Sequence, residues 1–91
     1  MTTDQVLDLV VKVEEPLFQL IDEMKKDLDI IKCLKENNQV KFVIVLIKNH
    51  RQLVYEILAK MEDTTIEDIA NRDLQRNINT IQNLVELKGF F

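Results

Sequence analysis

The most reactive side chains in this 91-residue chain are its single cysteine, Cys33, and its single histidine, His50. Together they could form a thiolate–imidazole pair, because a neighbouring base is what turns a cysteine into a nucleophile. Nothing in the sequence brings them together, and neither lies in a recognisable local signature. With Gly89 as the only glycine, there is no glycine-rich loop to cradle a phosphate or an oxyanion. One cysteine and one histidine fall short of the usual four-ligand zinc set, and a lone cysteine excludes an internal disulfide. The carboxylate pairs Glu14 and Glu15, Asp22 and Glu23, and Glu67 and Asp68 occupy positions expected to be wet, where pKa values stay ordinary and acid–base catalysis is disfavoured. The reading is of a protein that is not an enzyme and uses no cofactor or metal.

Residue types suited to binding are more numerous. Residues 1–36 carry nine acids and five bases, residues 37–60 four bases and Glu56, and residues 61–91 six acids and three bases, so the middle third is the basic part of a chain of net charge −4. Lys41, Lys48, Arg51 and Lys60 there either complement the acidic flanks or form a patch for an acidic partner, and Lys41, Lys48, Arg51 and Tyr55 are candidate partner-binding residues. Phe90 and Phe91 close the chain, where they either fold back onto the core or act as aromatic anchors for a partner. The segment TTIEDIANRDLQRNINTIQNL has the look of a helix-turn-helix, with Gln75, Arg76, Asn77, Asn79 and Gln82 as base-reading types. It lacks a glycine in the turn, holds only Arg72 and Arg76 as bases and is net acidic, so binding to nucleic acid is disfavoured.

The elements that position these residues are read as helices. Thr2 with Gln5 opens a first stripe, Val6, Val10, Val13, Leu17, Leu20 or Ile21, Met24, Leu28 and Ile31, which Pro16 interrupts. The preferred reading is two pieces, the second a surface helix from Pro16 to about Lys35 with i,i+4 pairs such as Asp22 with Lys26; a single kinked helix is the rival. Leu7, Leu9, Val11 and Val13 also alternate, which leaves a short strand open for the first piece. Asn37 and Asn38 then break the pattern. The run Phe42–Ile47 is apolar on every face and suited to full burial, and Leu53, Val54, Ile57, Leu58 and Met61 follow with helical spacing. Asn49 with Gln52 resembles a capping box and predicts a corner near Lys48–Asn49, against one continuous helix. Thr64 with Glu67 starts a short helix with Ile66, Ile69 and Ala70 on its apolar face. Asp73 caps a last one with Leu74, Ile78, Ile81, Leu84 or Val85, and Leu87 inward and Gly89 at its end.

The expected fold is therefore all-α, a single helical domain over 1–91 with about four to six helices around the central segment 42–61. A hydrophobic content of 46% with one glycine and one proline favours helices over a turn-rich β fold. A chain this short buries only roughly 60 to 65% of its unfolded surface, so a partner or a second copy would add to its stability. The N-terminal MTTDQVLDLV is acidic where a signal peptide would be basic, and no apolar run approaches the ~18 residues that span a bilayer, so a cytoplasmic protein is expected.

From Leu46 onward the sequence LIKNHRQLVYEILAKMEDTTIEDIANRDLQRNINTIQNLVELKGFF resembles the small tail assembly chaperones of long-tailed phages and prophages of Gram-positive bacteria. The resemblance is carried by a Lys-Asn-His helix start, Tyr55 to Ala59 in an amphipathic helix, a Thr-Ile-Glu-Asp-Ile short helix, and an Ile-x-x-Ile-x-x-Leu helix ending near two phenylalanines. It implies a small helical protein made in the host cytoplasm and absent from the mature virion, which binds the tape-measure protein and helps recruit tail-tube subunits. It also implies that a longer form is often made by frameshifting. The readings that stand beside it are a helix-turn-helix regulator or antitoxin using residues 64–87, and a homodimeric helical adapter.

Overall fold

A computed structural model describes residues 2–87, with side chains to residue 84; the candidate anchors Phe90 and Phe91 lie outside the described residues. The architecture is all-α, and no strand occurs among the described residues. The described residues form six helices in order: α1 (Thr3–Met24), α2 (Leu28–Lys35), α3 (Gln39–Asn49), α4 (Arg51–Met61), α5 (Ile66–Asn71) and α6 (Leu74–Leu87). α3 and α4 are the hub: α3 packs on α2, α4 and α6, while α4 packs on α1, α3 and α5. Of the 15 buried hydrophobic residues of the core among the described residues, nine come from α3 and α4, so the central segment supplies most of it.

The N-terminal helix departs from the two-piece expectation. A capping box forms as read, with the Thr2 N–H donating to Gln5 Oε1 (2.9 Å) and the Gln5 N–H to Thr2 Oγ1 (3.2 Å). The helix then continues without interruption past Pro16 to Met24, so neither a break at the proline nor a strand over Leu7–Val13 occurs. An interior proline costs about 3 kcal/mol in helix propensity. Here its ring is fully buried, and Val13 and Leu20 on either side of it are sunk in the same core, so burial offsets the lost hydrogen bond.

The break comes instead at Lys25–Asp27. Asp27 caps α2 by accepting the N–H groups of Asp29 (3.0 Å) and Ile30 (3.2 Å). Restarting the helix there resets its phase: Ile30 and Cys33 face the core, while Leu28, expected inward, is 80% exposed. Lys26 falls in the turn, and its expected pairing with Asp22 does not form.

Asn37 and Asn38 break the helical pattern as expected, and Asn38 also caps α3. Asn37 takes the left-handed conformation (φ 52°), which asparagine tolerates, and Asn38 accepts the Lys41 N–H at 3.1 Å. The corner between α3 and α4 is real but falls at His50, which serves as both C-cap and N-cap; the Asn49–Gln52 capping box does not form, because Asn49 is still helical and its side chain is used elsewhere. The run Phe42–Ile47 is not buried all round, since α3 meets its neighbours on some faces only and leaves Ile44 half exposed. α5 begins one residue later than read, at cap Thr65, and rests on α4 through Ile69, leaving Ile66 and Ala70 exposed. In α6, Ile81 is buried, Ile78 and Leu84 are partly so, and Leu74 at the helix start is exposed.

Candidate functional site

The inner face of α1 presents Val6, Leu9, Val10, Val13, Leu17, Leu20, Ile21 and Met24, which recur at helical spacing along nearly its whole length. α4 covers one side of this row. The other side opens into a groove of about 130 Å³, floored by Phe42 and Leu46 of α3 and Val54, Ile57, Leu58 and Met61 of α4, and bounded by Ile81 and Leu84 of α6. All of these lining residues are apolar. The volume approaches that of a cavity that admits one benzene-sized molecule. Its lining along α1, however, runs from Val6 to Met24, a helical rise of about 27 Å. This shape provides a row of side-chain sites along a helix and no compact ligand chamber.

A second cluster sits at the α3–α4 corner. Asp27 Oδ2 accepts Asn49 Nδ2 at 3.1 Å and lies 2.7 Å from His50 Nε2, while His50 Nδ1 lies 3.7 Å from Glu23 Oε1. The imidazole is 8% exposed and Asp27 11%. Burial alone would raise the Asp27 carboxyl, but the hydrogen bonds from Asn49, His50 and the Ile30 and Asp29 amides outweigh it and hold the group below its ordinary value of 3.8. An ionised Asp27 only accepts, so Nε2 carries the proton and Nδ1 faces Glu23. The cluster ties the α1–α2 turn to the α3–α4 corner. Cys33 is sealed in the core at 1% exposure, and the imidazole is held by Asp27 through Nε2, while Nδ1 makes no hydrogen bond.

The base and aromatic candidates are spread across the surface. Lys48 and Arg51 are exposed and share a shallow depression at the corner with Gln19, Glu23 and Gln52. Lys41, exposed near the other end of α3, does not line it, and Tyr55 is half-buried against the core. None of these four lines the apolar groove.

The helix-turn-helix segment uses two of its polar residues internally. Asn77 is buried; its Nδ2 donates to the Ile69 carbonyl (3.1 Å) and its Oδ1 accepts Arg72 Nε (2.5 Å). Arg72 grips Glu62 through both terminal nitrogens (2.8 and 2.6 Å), a fork that holds the Glu62 carboxyl below its ordinary range. This network joins the end of α4 to the start of α6 and keeps Asn77 and Arg72 from reaching a base edge.

The groove was only half legible in the sequence. The α1 row was readable from its periodicity, but the opening depends on where α6 sits beside α1, and local spacing carries no signal for that. In comparisons with known proteins, no family model, no curated protein and no solved structure matches this chain.

Proposed function

We propose that this protein is a non-enzymatic tail assembly chaperone, which binds the helical tape-measure protein in the host cytoplasm and helps recruit tail-tube subunits around it. The reading rests on the resemblance of residues 46–91 to that family. The observation that supports it best is the apolar groove along α1, whose length and lining suit one face of an amphipathic helix. A chaperone for an aggregation-prone helical client needs apolar surface that it can lend and withdraw, and a groove on a small bundle supplies it. No helix among the described residues is long and apolar enough to cross a membrane.

The rival reading, a DNA reader over residues 64–87, is weakened by the internal use of Asn77 and Arg72. Co-expression with the tape-measure protein separates the two. A chaperone keeps that protein soluble and co-purifies with it, whereas an insoluble tape-measure protein with nothing bound would sink the proposal.

A further inference from the structure

α1 is apolar on more than its inner face. Leu7, Val11 and Phe18 are 55%, 69% and 53% exposed. At 3.6 residues per turn they fall within about 40° of one another, on the outer face next to the Val10 and Ile21 edge of the groove. Apolar side chains therefore continue from the groove floor over the rim of α1 onto its outside. Single exposed apolar residues are ordinary, but a contiguous band joined to a groove marks an interaction surface.

The charges on α1 beside this band are mostly acidic, with the exposed Lys25 and Lys26 following in the turn at its C-terminal end. α1 carries Asp4, Asp8, Glu14, Glu15, Asp22 and Glu23 against Lys12 alone. Lys12 is held by Asp63 at 2.6 Å on the α4 side, and Glu23 faces His50. The remaining five carboxylates are exposed, and none is paired with a base among the described residues. Helical spacing sets Asp4, Asp8, Glu15 and Asp22 along the outer edge of the Leu7–Val11–Phe18 band, with Glu14 between the band and the groove.

We infer that the groove and the outer band of α1 together take an amphipathic helix whose apolar face is bordered by lysine or arginine. The occupant is a helix because the apolar sites run in a row of about 27 Å. It is basic at its margins because a row of unpaired carboxylates repels an acidic segment and steers a basic one. This inference rests on the groove being the client-binding face and adds the charge of the segment that the client presents.

The test uses the full chain and two synthetic peptides with identical leucine and phenylalanine anchors at i, i+3, i+4 and i+7, one with lysines at the flanking positions and one with glutamates. Fluorescence anisotropy is expected to show the lysine peptide binding about tenfold more tightly at low salt, with the gap closing as salt rises. The variant D4N/D8N/E15Q/D22N should lose the preference, and L7S/V11S/F18S should weaken the lysine peptide about tenfold with its helical circular dichroism intact. Equal binding of the two peptides, or an L7S/V11S/F18S variant that binds as wild type, overturns the inference. So does a dimer in sedimentation that L7S/V11S/F18S dissolves, which would assign the band to a second copy of the chain. If the tape-measure protein is captured in co-expression but peptide charge makes no difference, the charge inference fails while the chaperone reading stands.

Discussion

His50 Nε2 lies 2.7 Å from Asp27 Oδ2, joining two turns that are 23 residues apart in the chain. The same carboxylate caps α2 and accepts Asn49, so one side chain sets the end of α1, the start of α2 and the position of the α3–α4 corner.

Replacing Asp27 with alanine should therefore cost more than an ordinary cap. Losing the cap is worth about 1 kcal/mol, and leaving the enclosed imidazole without its acceptor adds about 1.5 to 3 kcal/mol. Urea unfolding should show a loss of about 2 to 4 kcal/mol. A loss below about 0.5 kcal/mol, the range of an ordinary surface substitution, would contradict the linking role.

The pH dependence follows from the same group. The folded Asp27 carboxyl titrates below its ordinary value of 3.8, so its contribution is fully present above that value and is lost as pH falls through the lowered folded value. Glu62 acts in the same direction from an ordinary value of 4.5, because Arg72 stabilises its ionised form. Unfolding free energy should decline on acidification below about pH 4. D27N should flatten that decline; an acid limb as steep in D27N as in wild type would rule out Asp27 as a contributor.

Arg72 and Arg76 make contrasting partners for Glu62. The Arg72 side chain is 8% exposed and bidentate, whereas Arg76 is 65% exposed and 3.6 Å away. Arg72→Lys keeps the charge but loses the fork and the Nε bond to Asn77, and should destabilise by about 1 to 3 kcal/mol. Arg76→Lys should fall within about 0.5 kcal/mol of wild type. Thermal denaturation of the two variants checks the order, and equal effects would contradict it.

What the sequence made legible was local. Thr2 with Gln5 and Asp73 were readable as caps because each contacts backbone within three residues of itself. The break at Asp27 was hidden behind the stronger signal of Pro16, and two of the partners that hold it, Asn49 and His50, are distant in the chain. The apparent two-residue alternation over Leu7–Val13 has a structural explanation: a helix that is apolar on an inner and an outer face places Leu7 and Val11 outward and Leu9 and Val13 inward. Ile44 could not be told from Val43 in an unbroken apolar run, since such a run has no period to mark the exposed side.

Those neighbours provide a direct check on α3. Phe42, 1% exposed, should lose about 3 to 5 kcal/mol on change to alanine. Ile44→Ala, at a half-exposed position, should lose about 1 kcal/mol or less. Chemical denaturation that finds the two variants equally destabilised would contradict the placement of α3.

The central claim is that the α1 surface holds a helical client. The direct measurement is co-expression of the tape-measure protein with the wild-type chain and with L7S/V11S/F18S, followed by quantification of the soluble complex. The account predicts soluble complex with wild type and a severalfold loss with the variant, at unchanged helicity of the variant. A tape-measure protein that remains insoluble beside the wild-type chain, or that co-purifies equally with both, would contradict it.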